Sequence, residues 1–348
     1  MKKSLLFLLF FPVLLYCSAC TRENKKSFLF ETELTVDHRF PIEVFNPMKI
    51  HIYDHYLILH QMNVVEFFFQ AYKLSDGAFI GSFGRRGRGP EEWLNLDVAR
   101  SMDNAPYFYF YDMATRESVA VVHKATLDSM AKLTEMGSFT IEKGTFSSMG
   151  RPVIRNDSLL VYDAFIPERA VRLYHLNGEQ PVITWKYGMD PMEDQLFIDE
   201  DMGILHANDS CIIFLYLLKD RIDIMDWDLQ LKKRLNYQKG ATVLHPDAWD
   251  NVWYHSESSY LGEQFLYAFY MGMSHKERRD KNIVRFALEV FDLNGTPVYR
   301  YTFTEPTPEL FVVDERTFNL YGYRGDNGLE DSISVYHLAG LKEFLENQ

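Results

Sequence analysis

Cysteine is scarce in this sequence, with three residues in 348, and no apolar run beyond the N-terminus is long enough to span a bilayer. Basic residues are also few: 36 Lys and Arg stand against 49 Asp and Glu, which gives a formal charge of −13. The lack of cysteine excludes a disulfide-rich scaffold, and the lack of long apolar runs excludes a polytopic membrane protein. The negative charge disfavours nucleic-acid binding, because contact with phosphates needs clustered positive charge.

What the chain does contain is typical of a folded protein. Hydrophobic residues make up 47%, aromatic residues 15% and charged residues 24% of the sequence. This balance excludes a disordered or collagen-like chain. The length is roughly twice that of a typical domain of about 150 residues, so the chain forms either two domains or one large all-β body.

The N-terminus has the pattern of an export signal. Lys2 and Lys3 precede the apolar run Leu5–Tyr16, which is shorter than the roughly 20 residues of a membrane span. The following Cys17-Ser18-Ala19-Cys20 resembles the lipobox of bacterial lipoproteins, except that Cys17 stands where Leu is usual. A plain secretory cleavage, which would leave a soluble product, is the alternative.

We therefore predict a lipoprotein signal peptide at 1–19, lipid attachment at Cys20 and a short polar tether at 20–27. Removal of 1–19 takes away Lys2 and Lys3, and the formal charge becomes −15. Cys211 is then the remaining free thiol, so no intramolecular disulfide can form. It begins the apolar run CIIFLYLL, which indicates a buried small side chain rather than a catalytic thiol.

Beyond residue 40 the sequence favours strands over helices. Short alternating or apolar runs rich in Val, Ile, Tyr and Phe are separated by Gly, Asn and Asp, as in antiparallel sheets. The clearest runs are Tyr56–His60, Phe67–Lys73, Tyr107–Tyr111, Ser158–Tyr162, Cys211–Leu218 and Phe286–Phe291.

One phrase recurs along these strands. It reads AYKLSDGAFIGSFG at 71–84 and VFDLNGTPVYRYTF at 290–303, and the other copies lie at 121–133, 173–188, 224–237 and 335–345. Asp-Gly and Asn-Gly tolerate the positive φ of tight turns, so each phrase predicts a β-hairpin. The copies are spaced by 50, 52, 51, 66 and 45 residues.

Such regular β repeats are typical of a propeller, in which each blade is a four-stranded sheet. Six copies predict an all-β, six-bladed β-propeller that occupies 28–348 as a single domain. An irregular pair of β-sandwiches is the alternative. The last copy lacks an outer strand, and we expect the N-terminal strand Phe28–Val36 to close the last blade, because an unpaired edge leaves backbone groups unsatisfied.

Three phrases carry a resemblance to a known family. They are GSFGRRGRGPEEW at 81–93, FLYAFYMGMSHKE at 265–277 and TFNLYGY at 317–323. Together they resemble the TolB-like six-bladed propeller lipoproteins of Bacteroidota. The resemblance implies export, a lipid anchor and a propeller fold, but no common activity.

The glycine-rich loop in the first of these phrases is a candidate ligand site. Arg85, Arg86 and Arg88 alternate with glycines before Trp93. Backbone N–H groups of such a loop can converge on an anion, and arginines add donors for a carboxylate or sulfate. In the alternative interpretation, which we favour, the glycines form a turn between blades, the arginines pair with neighbouring glutamates, and Trp93 packs between blades.

An insertion at 254–282 in the longest repeat is the second candidate. It contains aromatic residues, among them Tyr260 and Tyr270, followed by a charged stretch with Lys276 and Arg278. Insertions in repeat proteins often form the binding face, and this combination suits a sugar or an anionic ligand. A core strand followed by a solvated hairpin tip is the favoured alternative.

No established catalytic or metal motif is present. The acidic stretch 190–201 fits no calcium loop, and the histidines at 51, 55 and 60 fit no zinc pattern. We therefore predict no metal, no cofactor and no catalytic residue.

The predicted function is non-catalytic binding or scaffolding by a monomeric, lipid-anchored propeller on the periplasmic or outer face of the outer membrane. Its partner would be a peptide, a glycan or an envelope protein. The alternative is an extracellular hydrolase or lyase that acts on a carbohydrate or lactone through channel carboxylates or a divalent metal.

Overall fold

The computed structural model of the chain describes fourteen segments of the sequence, and the statements below concern these segments. They are 26–43, 47–61, 66–101, 107–112, 119–128, 132–142, 152–155, 158–163, 170–175, 183–186, 202–237, 244–245, 247–325 and 332–348.

Strands dominate the described segments, with two short α-helices and a 3-10 turn at Ala248–Asp250. The strands are β1 Phe30–Leu34, β2 His38–Pro41, β3 Lys49–Tyr53, β4 Tyr56–His60, β5 Phe67–Lys73, β6 Phe79–Arg86, β7 Glu92–Trp93, β8 Leu96–Ser101, β9 Phe108–Asp112, β10 Val119–Leu127, β11 Leu133–Glu142, β12 Val153–Arg155, β13 Ser158–Asp163, β14 Ala170–His175, β15 Ile183–Lys186, β16 Gly203–Ala207, β17 Ile212–Tyr216, β18 Arg221–Met225, β19 Leu231–Asn236, β20 Val252–Leu261, β21 Phe265–Ser274, β22 Ala287–Asp292, β23 Pro297–Phe303, β24 Leu310–Asp314, β25 Asn319–Tyr323 and β26 Ser332–His337. The helices are α1 His275–Asp280 and α2 Leu341–Glu346.

Hydrogen bonds group these strands into five sheets, and four of the sheets have four or five strands. Their orders are β3-β4-β5-β6-β7, β16-β17-β18-β19, β1-β23-β22-β21-β20 and β2-β26-β25-β24. The fifth sheet has eight strands and contains two antiparallel meanders, β8–β11 and β12–β15. The meanders are joined where Val153 and Ile154 of β12 pair in parallel with Arg100 and Ser101 of β8.

Six strands surround a common axis, and we call them the axial strands. They are β3, β8, β12, β16, β20 and β24. Packing contacts join β24 to β3, β8 to β12, β16 to β20 and β20 to β24. The chain is therefore an all-β propeller, as the repeats predict. The expectation of six separate blades is not matched by the hydrogen bonding, which gives five sheets because β8–β15 form one.

The recurring hairpins are largely where the phrase predicts them. In the copy at 290–303, β22 and β23 pair antiparallel around Asn294 and Gly295, and Gly295 has φ +73°. A Cβ atom at Gly295 would lie 1.9 Å from Cδ1 of Leu235, which belongs to the preceding sheet. Glycine is therefore required at this turn both by its backbone conformation and by the close approach of a neighbour.

The prediction about ring closure is wrong in its residues. The strand expected at 28–36 forms β1, which pairs in parallel with β23 and so adds to the sheet before the last one. It is β2, His38–Pro41, that pairs antiparallel with β26 and completes the last sheet. After β26 the chain forms the short helix α2. Its Leu341 is buried in the apolar cluster between the last two sheets.

Apolar side chains are buried between neighbouring sheets around the ring. Phe69 of β5 packs edge-on against Phe108 of β9, with ring centroids 5.8 Å apart. Phe269 of β21 packs against Phe311 of β24 at 4.4 Å. Cys211 lies buried in the cluster between β17 and β21, and burial raises the pKa of its thiol to about 11, which agrees with a structural role. Among the described residues, no helix has the length and apolar character needed to cross a bilayer.

Candidate binding site in the central channel

The first strands of the meanders line a cavity of about 490 Å³ on the axis of the ring. This channel cavity lies toward the ends of β16 and β20, and its wall includes His206 and Tyr260. Side chains from all of the axial strands reach it, including Val98 of β8, Val153 of β12 and Val312 of β24. The axial strands therefore form a channel whose wall combines residues far apart in the sequence.

A second cavity of about 470 Å³ lies at the opposite end, where the axial strands begin. We call it the mouth cavity. Half of its sixteen lining residues are apolar, and these include two methionines and three aromatic residues. The apolar lining consists of Met48, Ile204, Trp253, Phe269, Met271, Phe286, Pro308 and Leu310.

Charged groups of both signs stand at the mouth cavity. Lys49 and Arg278 are basic, and Glu257 and Glu309 are acidic. Burial raises the pKa of the Glu257 carboxyl, because the surrounding protein disfavours its charged form. Burial also lowers the pKa of His275, and the nearby Arg278 guanidinium lowers it further. The cavity therefore combines apolar side chains with polar groups that can orient a ligand.

The helix α1 forms part of the wall of the mouth cavity. Ser274 caps the helix, and its hydroxyl accepts a hydrogen bond from the backbone N–H of Glu277 at 3.1 Å. Serine at the cap with glutamate three residues later is the sequence pattern of a capping box. The helix directs Arg278 toward the cavity, where its guanidinium lies 5.1 Å from the centre of the Phe286 ring.

The residues predicted from the insertion at 254–282 do not form one site. Arg278 lines the mouth cavity, whereas Tyr260 lines the channel cavity at the other end. Lys276 forms an ion pair with Asp250 at 3.1 Å and so ties α1 to the 3-10 turn. Tyr270 lies elsewhere, with its ring 4.4 Å from the ammonium of Lys26.

The glycine-rich loop supplies its own anion. The carboxylate of Glu92 accepts a hydrogen bond from the N–H of Gly89 at 2.8 Å, and it lies 3.6 Å from Nε of Arg85. Arg85 and Arg88 are exposed, and Arg86, at the end of β6, donates its N–H to the carbonyl of Glu66. Glu92 therefore takes up the N–H of Gly89, and the N–H groups of Arg86 and Gly87 are bonded to the backbone carbonyls of Glu66 and Trp93.

Trp93 belongs to the packing between two sheets. Its ring meets Phe110 of β9 edge-on, with centroids 5.4 Å apart. It is part of the apolar cluster that joins the first sheet to β8–β11. The structure therefore gives Trp93 a packing contact rather than a place in either cavity.

One group of described side chains has the composition of a metal site. Potential ligand atoms of His51, His60 and Asp97 lie within 4.8 Å of one another. Burial alone would raise the pKa of Asp97, but Lys49 and His60 lower it to about 2. The Lys49 ammonium contacts the Asp97 carboxylate and already compensates its charge, so the group fits a divalent ion poorly.

Two further predicted features lie outside the described residues. These are the lipidation site Cys20 with the signal peptide 1–19, and the acidic stretch 190–201.

Comparison with known proteins supports the propeller fold. Residues 24–144 match the family model described as TolB-like 6-blade propeller-like. A crystal structure of a DUF4221 family member from Bacteroides vulgatus matches with a TM-score of 0.54 and 11% identity, over 88% of this chain and 97% of that one. The part of the chain at 24–144 is therefore similar to the TolB-like propeller family.

A second similar structure is that of a Bacteroides fragilis protein described as exported. It matches with a TM-score of 0.53 and 11% identity, over 88% of this chain and 98% of that one. At this identity the two structures support the fold of the chain and no particular ligand. No curated protein matches the sequence.

Nine of the sixteen residues that line the mouth cavity lie outside the predicted insertion at 254–282 and carry no signal in the sequence. They lie at 48–49, 204, 253, 286 and 307–310, and most of them meet because they are at or near the start of neighbouring axial strands. Only the insertion pointed to this end of the channel, through Arg278. A sequence search would have needed the register of each axial strand to find the other residues.

Proposed function

We propose that the chain is an exported, non-catalytic binding module that holds an apolar side chain of a peptide in the mouth cavity. The observation that carries the proposal is this cavity itself, about 470 Å³ in volume and built on the beginnings of the axial strands. A cavity of this size suits a ligand of a few residues. Because the strands hold its wall in place, binding costs little ordering of the protein.

The chemistry of the wall favours a peptide over a glycan. Met48 and Met271 are flexible and polarisable, and methionine-rich surfaces adapt to varied apolar side chains. The buried indole N–H of Trp253 has no hydrogen-bond acceptor among the described residues, so a peptide carbonyl could serve as one. The hydrolase or lyase alternative gains no support from the described groups.

A titration followed by NMR tests the proposal. We expect the peptides Gly-Leu-Gly and Gly-Phe-Gly to shift the ¹³C-methyl signals of Met48 and Met271 in a saturable way. Dissociation constants on the order of 0.1–1 mM are expected for ligands of this size. Met136 on β11 lies outside both cavities and is exposed, so its signal should stay in place.

Two variants and one sugar provide the controls for this titration. Glu257→Trp, which would fill the mouth cavity, should abolish the shifts, whereas Glu31→Trp on the exposed face of β1 should preserve them. Shifts caused by maltotriose but by neither peptide would contradict the peptide proposal. The absence of any shift would contradict binding in this cavity altogether.

We further propose that residues 1–19 direct export and that lipid on Cys20 holds the protein to the outer membrane. The positive start, the apolar run and the lipobox-like Cys17–Cys20 support this, as does the likeness to an exported protein. Cys20→Ser should eliminate incorporation of radiolabelled palmitate in the bacterial host, while Cys211→Ser should leave it unchanged. Equal labelling of the Cys20→Ser variant and the natural chain would contradict lipid attachment at this residue.

We also propose that the ring has six blades, with β8–β11 and β12–β15 as two of them. The support is that these meanders meet through only two parallel residue pairs and bury their own apolar cluster between them, around Tyr109, Ile154 and Tyr174. The name of the matching family model agrees with this count. An experimental structure with any other number of blades would overturn it.

A further inference from the structure

Lys26 inserts its side chain into a buried acidic cleft between two sheets. Its Nζ lies 2.7 Å from Oδ1 of Asp220, in the turn before β18, and 2.7 Å from Oε2 of Glu289 on β22. The side chains of Lys26, Asp220 and Glu289 are 11%, 8% and 1% exposed. An ammonium with two carboxylate partners at this depth is far more strongly held than an ion pair at the surface.

Aromatic rings complete the surroundings of this ammonium. Nζ of Lys26 lies 4.4 Å from the ring centre of Tyr270, 5.1 Å from that of Tyr237 and 5.6 Å from that of Phe291. A cation near ring faces is attracted by their negative potential, most strongly where water is excluded. Aromatic rings combined with carboxylates are the surroundings that recognise ammonium ligands.

The charge of the cleft depends on Lys26. Arg300 reaches Glu289 only at 4.0 Å, and His255 is kept neutral because burial and the nearby Lys26 lower its pKa. Burial also raises the pKa of the Glu289 carboxyl, which the Lys26 ammonium partly offsets. Without Lys26, Glu289 would face the Arg300 guanidinium at 4.0 Å and Asp220 would face the neutral His255 ring at 3.8 Å, so the cleft would carry excess negative charge and attract another cation.

We propose that the cleft lined by Asp220, Tyr237, Tyr270, Glu289 and Phe291 is a binding site for a primary alkylammonium group, and that the chain fills it with its own Lys26. We call it the ammonium cage. A primary ammonium fits because it is compact and has three N–H donors, one of which binds Asp220 while the charge lies close to Glu289 and faces the rings. The segment predicted as a free tether is therefore fixed to the propeller at Lys26.

Chemical rescue in the full chain tests the cage. Lys26→Ala should lower Tm by about 5 °C, because it leaves buried carboxylates without their partner. Lys281→Ala, which removes an exposed lysine paired with Glu277, should change Tm by less than about 1 °C. Propylammonium chloride replaces the deleted atoms and should restore at least half of the loss in Lys26→Ala, with no effect on Lys281→Ala.

Two results of the rescue experiment would overturn the proposal. One is a Tm of Lys26→Ala equal to that of the natural chain. The other is equal restoration by propylammonium chloride, sodium chloride and 1-propanol, since a cage specific for ammonium distinguishes among them.

A second measurement uses the natural chain and does not depend on folding of a variant. Acylation of lysines, followed by mass spectrometry of the peptides, should label Lys26 on the order of tenfold more slowly than Lys281. Equal rates at the two lysines would show that the Lys26 ammonium is open to solvent and would overturn the proposal.

Discussion

Replacement of Asp223 by Asn is expected to lower the free energy of unfolding by about 3 kcal/mol. The Asp223 side chain on β18 is fully buried, and its carboxylate accepts hydrogen bonds from Arg221 and Arg234 at 2.6–3.0 Å. The hydroxyl of Tyr216 donates a further bond at 2.9 Å. Burial alone would raise the pKa of Asp223, but the two arginines outweigh burial and lower it.

The amide of Asn keeps one acceptor for Tyr216 but removes the negative charge, so Arg221, whose side chain is 16% exposed, loses its counter-charge. Arg234 is about half exposed and water compensates it in part, which places the expected loss at the lower end for buried pairs. Urea unfolding measures the change. Asp280→Asn, which breaks an exposed pair with Arg279, is the matched control and should stay within about 0.5 kcal/mol of the natural chain. Equal losses of unfolding free energy in the two variants would mean that the buried ion pairs of Asp223 do not stabilise the β18–β19 hairpin.

His255 should make the propeller lose stability as the pH falls from 6.5 toward 4. Its ring is buried on β20, and Nδ1 donates to the carbonyl of Tyr216 at 2.9 Å. Burial, and then the positive charge of Lys26, lower the pKa of His255 to about 4, against an opposing effect of Asp220. The unfolded chain therefore binds a proton at His255 below pH 6.5 while the folded chain does not, and the difference grows to about 3 kcal/mol near pH 4.

His255→Asn isolates this contribution, because the amide of Asn can still donate to Tyr216 while it does not titrate. The variant should lose less stability than the natural chain between pH 7 and pH 4, by about 3 kcal/mol in denaturant unfolding at the two pH values. His38→Asn, which replaces an exposed histidine, should retain the full pH dependence of the natural chain. If His255→Asn shows the same pH dependence as the natural chain, the buried neutral histidine is not its source.

The hairpins could be predicted from the sequence because their determinants are local. Asn294 and Gly295 set the turn between β22 and β23, and alternation on each side sets the strands. Ring closure could not be predicted in the same way. The segment at 28–36 has the alternation of a good edge strand, whereas the closing strand His38–Pro41 is four residues long and ends in proline, which is depleted in strands. The sheet edge that each N-terminal strand joins depends on a partner far away in the sequence, which is β23 for β1 and β26 for β2.

The sites were harder to predict for the same reason. The pairing of Arg85 with a nearby glutamate could be expected from the sequence, because Glu92 is only seven residues away. The residues of the ammonium cage are at positions 220, 237, 270, 289 and 291, about 200 or more residues after Lys26. Because Lys26 lies in a short polar stretch, the local sequence does not indicate these partners. Among the residues predicted to bind a ligand, Arg278 and Tyr260 line cavities, whereas Trp93 and Lys276 make structural contacts.

Pairing of β2 with β26 delays closure of the ring until β26 has been synthesised. The side chains of Arg39 and Ser334, which are joined by a hydrogen bond across this pair, are 295 residues apart. Contacts at such separation carry the loop-closure entropy of most of the polypeptide, and a nascent chain still on the ribosome has no C-terminal partner for β2. The strand β2 must therefore stay available until β26 has been synthesised, and the ring becomes continuous only then.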